Sequence, residues 1–433
     1  MMNAMKKLFC LIFILMIFSL VACNSDGSTS GDGGDGNEEV TLTLLLTSTQ
    51  ANAGMEAVIE EIENRYNIIT EVEIRPAGTE GDNLVKTRLA TGDMTDIMVY
   101  NTGALFDALN PEEYFADLSD EPFMETIEET FLDTVTVDGK SYGIPVSTAQ
   151  AGGWIYNKKV YEELGLSVPT TWDELMANNQ VIKDAGIVPV VASFRDTWTS
   201  QLILLADYYN VHSVLPTFAD DYTHNKAKFA DTPVALRGFE KMQEIHDAGF
   251  FNNEETATSY EDAIRMVGEG SAVHYPILTQ ALPAFSDDHI NDIGVFGQPG
   301  DDPDNHGLTL WMPNGVYINK EIENFDAAKT WFEFFVSQDG QDLYMTNFAP
   351  QGPSVVKGIE LPDDVYPAVK DMLTYVQEGR VEAALEFHSP LKGPNLEQIL
   401  VEVGLGMTSA DDAAENYDRD VLRQARQLGL DGW

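Results

Sequence analysis

The sequence predicts an α/β fold built on a parallel sheet, from two observations: apolar strands alternate with amphipathic helices from residue 40 onward, and the first three strands are each separated by one helix. About 390 residues follow residue 39, enough for two lobes of ordinary size.

The first strand is residues 41–46, a run of Thr and Leu that reads as buried. Met55, Val58, Ile59, Ile62 and Tyr66 then fall on one helical face. Residues 71–74 alternate as a second strand, a helix carries Leu84, Val85 and Leu89, and residues 96–100 form the third strand. In such a sheet, ligands are expected beyond the carboxyl ends of the strands. Past Pro169, Thr171-Trp172-Asp173-Glu174 is a capping box, in which the Thr oxygen and the Glu carboxylate satisfy free N–H groups at a helix start. That helix is expected to run to about residue 185, with Gly186 as its stop. Residues 187–192 read as a strand, followed by a polar loop holding Arg195, Asp196 and Trp198. Further helices are expected over 234–248, 326–337 and from about Ser409, with a strand at 271–275.

The N-terminus points outside the cell. Lys6 and Lys7 precede an apolar run over residues 8–21, the layout of a secretory signal and too short to span a bilayer. Leu20-Val21-Ala22-Cys23 resembles the bacterial lipobox, so residues 1–22 are expected to be removed and Cys23 acylated. Residues 23–39 hold almost no apolar side chain and read as a flexible tether. With Cys10 in the signal and Cys23 lipidated, no thiol is left for a disulfide, a zinc site or a nucleophile.

The 25 basic and 71 acidic residues give a net charge of −46, or −48 once Lys6 and Lys7 are gone (23 − 71). Nucleic acid is repelled by such a chain, and an anionic cargo is disfavoured unless a local Arg overrides the global field. The seven His residues include no pair at HExxH spacing, and neither a GxxxxGK[ST] loop nor a GxSxG elbow is present. No cofactor is expected, and no metal; Asp302, Asp304 and His306 only faintly suggest a calcium loop, which no Glu closes.

The segment from residue 137 carries a series of short motifs: Val137-Asp138-Gly139-Lys140-Ser141-Tyr142-Gly143-Ile144-Pro145, Trp154-Ile155-Tyr156-Asn157-Lys158-Lys159, Leu164-Gly165-Leu166, and Pro169-Thr170-Thr171-Trp172-Asp173-Glu174-Leu175. In this order and spacing they resemble the family-1 extracellular solute-binding proteins, the maltose-binding-protein-like receptors of carbohydrate importers. Thr91-Gly92-Asp93-Met94-Thr95-Asp96-Ile97 is similar to another stretch of that family, with Thr95 where Pro is usual, as is Gly270-Ser271-Ala272-Val273, with Val273 in place of Met. The resemblance implies a two-lobed, type II periplasmic-binding-protein-like fold, its discontinuous lobes joined by hinge strands. Its crossings are placed near residues 148–152, 275–277 and 313–316. The implied boundaries are 40–149 plus 277–314 for the N-terminal lobe and 150–276 plus 315–433 for the C-terminal lobe. Gly152-Gly153 suits a hinge, since glycine absorbs large backbone rotations.

The function implied is that of a monomeric substrate-binding subunit of an ABC importer. It would capture a sugar or oligosaccharide by closing its lobes, then meet two permease subunits with their ATPase. A non-sugar solute on the same fold, or a lipid-anchored extracellular glycosidase, are the competing readings; paired carboxylates are always available among 71 acidic residues. A sugar site needs flat apolar surfaces for pyranose faces and planar polar groups for hydroxyls. Trp198 is the leading candidate, because no helical stripe demands its burial; Trp311 and Trp154 lie beside crossings. Gln50, Tyr100 and Asn101 follow strand ends, where Asn101 competes with a role as turn or cap. Gln150, Arg195, Asp196, Tyr275 and Asn314 complete the set, whereas His274, out of phase with Tyr275, reads as a satisfied core histidine.

Overall fold

A computed structural model describes residues 39–433, apart from Ala77 and Asp431. The signal sequence, the Cys23 lipidation site and nearly all of the tether lie outside the described residues. In chain order the strands are β1 (Val40–Thr47), β2 (Ile68–Arg75), β3 (Ile97–Tyr100), β4 (Thr136–Val137), β5 (Lys140–Ser141), β6 (Gly143–Pro145) and β7 (Gln150–Asn157). They continue as β8 (Val188–Val190), β9 (Ala272–Leu278), β10 (Ile293–Phe296), β11 (Leu308–Trp311), β12 (Gly315–Ile318) and β13 (Val381–Ala383).

Two sheets organise the molecule. The first has the order β2-β1-β3-β12-β6, with β1 parallel to β2 and β3, and β12 antiparallel to β3 and β6. The second has the order β13-β11-β7-β9-β8, and β10 pairs with the far half of β7 beyond β11. The parallel βαβαβ start predicted from the sequence is the N-terminal part of the first sheet. Residues 71–74 do not bury one face, however: β2 is an edge strand, and Val72 and Ile74 are 41% and 55% exposed. On the following helix, Gly78–Thr91, Val85 and Leu89 go inward while Leu84 stays 37% exposed.

The expected helices form close to their predicted limits. Helix Trp172–Asp184 starts on a complete capping box at Thr171 and Glu174 and is followed by Gly186 at φ 78°. Helices Pro233–Asp247, Phe325–Phe335 and Ala410–Leu428 stand within a residue or two of their predicted limits, the last capped by Ser409. No described helix is long and apolar enough to cross a membrane.

The lobe boundaries differ from those implied above. Tyr275 and Ile277 are paired with β7 inside β9, and the turn that follows, Thr279–Ala284, packs on β7 and on helices Tyr260–Gly268 and Pro367–Gln377. The chain therefore stays with the second sheet there, and β10 and β11, expected in the N-terminal lobe, both bond to β7. It changes sheet at residues 312–314: β12 inserts between β3 and β6, and helices Phe325–Phe335 and Gln338–Asn347 pack against β1 and helix Ala53–Tyr66. Helix Pro367–Gln377, lying on β10, returns to the second sheet, where the chain ends. Strand partnership is a long-range choice, and local pattern carries no record of it.

Gly152 and Gly153, placed at a hinge by the sequence, stand within a paired strand. Both lie inside β7, in register with Thr309 and Leu278 and with Ile277 respectively. A Cβ on Gly152 would sit 2.3 Å from the Trp311 ring, and one on Gly153 would sit 2.5 Å from the Phe296 carbonyl oxygen. The pair is required by close packing on both faces of the strand.

Candidate functional site

Register fixes which ends of the two sheets adjoin the connections between them. In the first sheet these are the end of β1 at Thr47, the end of β3 at Tyr100 and the start of β12 at Gly315, which pairs with Tyr100 and Pro145. In the second sheet they are the start of β7 at Gln150, which pairs with Trp311, and the end of β9 at Leu278. The candidate site is assembled from the loops at these ends. The two sides touch: a Cβ on Gly103, after β3, would lie 3.0 Å from the Phe387 ring and 3.2 Å from the Glu386 carbonyl oxygen.

On the first sheet's side, Gln50 accepts the Thr47 N–H at 2.9 Å through Oε1, and Asn101 accepts the Tyr317 hydroxyl at 2.9 Å through its carbonyl oxygen. The Asn314 carbonyl accepts the Val146 N–H at 2.9 Å, tying two connections together. All three residues are partly exposed.

The second sheet supplies aromatic walls. The buried Trp311 ring packs its benzene edge against Gly152 and donates its indole N–H to Glu386 Oε1 at 3.0 Å, while Glu386 Oε2 receives Lys392 Nζ at 3.0 Å. Gln150 donates to Gln351 Oε1 at 3.2 Å, placing two planar amides beside Trp311. Trp198 is half-buried in the one-turn helix Thr197–Gln201, its ring 5.5 Å from that of Tyr260, and Tyr260 leads on to Tyr275 at 6.3 Å. Asp196 Oδ2 accepts the Tyr260 N–H at 2.7 Å, a carboxylate at the start of helix Tyr260–Gly268 where the helix dipole favours it. Arg195 is exposed on the same loop.

Four predicted site residues are buried among core side chains: Trp311, 8% exposed, and Tyr100, Trp154 and Tyr275. Tyr100 is fully buried with the Arg75 guanidinium 5.3 Å over its ring, and desolvation pushes its phenol well up. Trp154 is fully buried, donates to Gln298 Oε1 and packs among Trp172, Phe296 and His274. Tyr275 is 1% exposed and its hydroxyl meets Ser193 Oγ at 2.7 Å, beside a void of about 10 Å³, at the lower limit for one water. Strands β3, β7 and β9 are buried on both faces, so alternation alone does not mark which side chains turn to the opening. Conversely, Tyr260, Gln351, Glu386 and Phe387 were missed. They come from distant segments with no local signal, although the capping box that starts at Ser259 points to the helix that positions Tyr260.

His274 is the satisfied core histidine expected: Nδ1–H donates to the Pro189 carbonyl at 2.9 Å and Nε2 accepts the Tyr161 hydroxyl at 2.6 Å. Burial pushes its pKa down to about 3. In the loop that suggested calcium, His306 is buried against the Gly297 carbonyl and Asp302 accepts the Asp304 N–H. Among the described residues no group of three His, Cys, Asp or Glu is placed to hold a metal.

The arrangement resembles known receptors in both sequence and shape. The chain is 23% identical over 351 residues to the multiple sugar-binding protein of Streptococcus mutans, covering 78% of this chain and 80% of that one. It is 22% identical over 228 residues to the melibiose/raffinose/stachyose-binding protein MelE of Bacillus subtilis, covering 52% and 50%. Among solved structures, a chitin oligosaccharide binding protein superposes with a TM-score of 0.76 at 21% identity, over 90% of this chain and all of that one. RafE in complex with raffinose gives 0.74 at 20% identity, over 88% and 99%. At such identities the superpositions speak for the two-lobed α/β fold. Residues 47–342, more than half the chain, match the family model of the bacterial extracellular solute-binding proteins, and the chain belongs to that family.

Proposed function

We propose that this protein is the substrate-binding subunit of an ABC importer and that it captures a sugar or short oligosaccharide, without turnover, between its two lobes. The observation that carries this reading is the half-buried Trp198 ring against Tyr260, together with the Gln150–Gln351 amide pair beside Trp311 at the connected ends of the sheets. Ring faces suit the C–H surfaces of pyranoses, and neutral amides suit hydroxyls as both donors and acceptors. The names of the relatives support the same cargo class. Lipid attachment at Cys23 and docking of the loaded receptor on two permease subunits complete the proposal.

A thermal-shift screen with raffinose, stachyose and chitin oligosaccharides tests it. A ligand at 100 times its dissociation constant stabilises by about 2.7 kcal/mol. Trp198→Ala is expected to weaken the best ligand roughly 30-fold, from about 80 Å² of apolar contact at roughly 25 cal/mol per Å². No shift with any saccharide, or unchanged affinity in Trp198→Ala, would overturn the corresponding part of the reading.

A further inference from the structure

The geometry points to Glu397 as the positioning residue of the Trp198 surface, a role that rests on the proposed sugar site. Glu397 stands in the first turn of helix Leu396–Gly404, about 200 residues along the chain from Trp198. Its carboxylate accepts Thr197 Oγ1 at 2.7 Å through Oε2 and Gln201 Nε2 at 3.3 Å through Oε1. Its carbonyl oxygen accepts Ser200 Oγ at 3.0 Å. Glu397 thus accepts from both ends of the turn Thr197–Gln201, which carries Trp198, with the Ser200 hydroxyl proton shared with the Thr197 carbonyl at 2.7 Å.

The turn needs such a hold. A single turn of 3-10 helix has poor internal geometry and little stability of its own. Its internal bonds, Thr199 N–H to the Asp196 carbonyl at 3.0 Å and Gln201 Nε2 to the Trp198 carbonyl at 3.1 Å, fix its shape, and Thr199 Oγ1 ties its middle to Ser193, leaving its two ends to be held from outside. Asp196 fixes the entry of the loop through Tyr260, and Glu397 fixes the turn itself. Bonds to a charged acceptor are about twice as strong as neutral ones. A stacking surface contributes affinity only if it is already in place, because ordering it on binding is subtracted from the gain.

Four variants separate this from a mere helix-end charge: Glu397→Ala, Glu397→Gln, Glu397→Asp and Trp198→Ala. In Glu397→Ala, hydrogen exchange at Thr199 in the ligand-free protein is expected to rise about ten-fold, with helix Pro233–Asp247 unchanged, and raffinose binding to weaken by a similar factor. Gln keeps a neutral acceptor and should restore part of both; Asp keeps the charge, is one methylene short and should not. The double variant Trp198→Ala/Glu397→Ala should bind raffinose no more weakly than Trp198→Ala alone, because Glu397 acts through that ring. Unchanged exchange in Glu397→Ala, rescue by Asp but not by Gln, or effects that multiply in the double variant would each overturn the inference. Should Glu397→Ala not fold, exchange in Glu397→Gln decides: a rise confined to residues 197–201 supports the role and its absence refutes it. Should the unmodified protein not bind raffinose, that failure belongs to the choice of cargo, and the exchange measurements still decide the role of Glu397.

Discussion

Replacing Gly152 by Ala tests the claim that the glycine pair in β7 exists for packing. Gly152 has no left-handed backbone, so an unobstructed Ala would stabilise by about 0.4–1 kcal/mol through the unfolded chain. Here the new methyl would meet three atoms of the Trp311 ring, at 2.3, 3.0 and 3.2 Å, where carbon atoms prefer about 3.5–4.0 Å. The ring must retreat by about 1 Å, an overpacking cost of about 1–3 kcal/mol. Retreat also strains the indole bond to Glu386, a charged acceptor worth about 1.5–3 kcal/mol. The costs outweigh the gain, and a net loss of about 2–3 kcal/mol is expected, together with weaker saccharide binding, since the proposed site lies beside Trp311. Urea denaturation measures the first and calorimetry the second. Gly152→Ala/Trp311→Leu should recover most of the stability but not the affinity. A Gly152→Ala protein as stable as the parent, with unchanged binding, would refute the reasoning.

Three further outcomes are expected. His274 is neutral in the fold with a pKa of about 3, whereas the unfolded chain takes up a proton near pH 6.5, so its contribution disfavours folding increasingly as pH falls from about 6.5 toward 3, by about 1.4 kcal/mol per unit. His274→Gln should flatten the dependence of the urea midpoint between pH 4 and 6; parallel slopes would remove His274 from the account. Lys241 and Asp207 form an ion pair at 2.5 Å with side chains 1% and 2% exposed, so Lys241→Met should cost about 3–5 kcal/mol by stranding the carboxylate, and adding Asp207→Leu should return part of it. If the double variant is less stable than Lys241→Met in a denaturant melt, the cost does not come from the stranded charge. Cys23→Ser is expected to release the protein from the membrane fraction, and its retention there would show that the anchor lies elsewhere.

Local chemistry was legible in the sequence and partnership was not. The capping box at Thr171 and Glu174, the Gly186 stop and the Ser409 cap placed helices closely, because each depends on residues within a turn of one another. The polar loop after β8 left Trp198 half-buried, as the absence of any stripe requiring its burial implies. Trp154 failed the same test: it sits on a strand covered on both faces, where its neighbour Ile155 packs into one core and Trp154 into the other. Glu386, Phe387 and Gln351 meet Trp311, Gly103 and Gln150 only through the folded chain, and nothing adjacent to them in sequence announces it.

The late arrival of β12 and β13 bears on how the protein comes to be folded at all. The first sheet has a gap between β3 and β6 until residues 315–318 exist, and the second has no β11 neighbour on its outer side until residues 381–383 do. Neither lobe can close its sheet from a contiguous stretch, so a chain emerging from the N-terminal end stays incomplete until most of it has been made. Such pairings between remote segments are slow to form and expose apolar strands meanwhile. For a member of an extracellular family, the expected consequence is a chain still short of its folded state when its first half has been made.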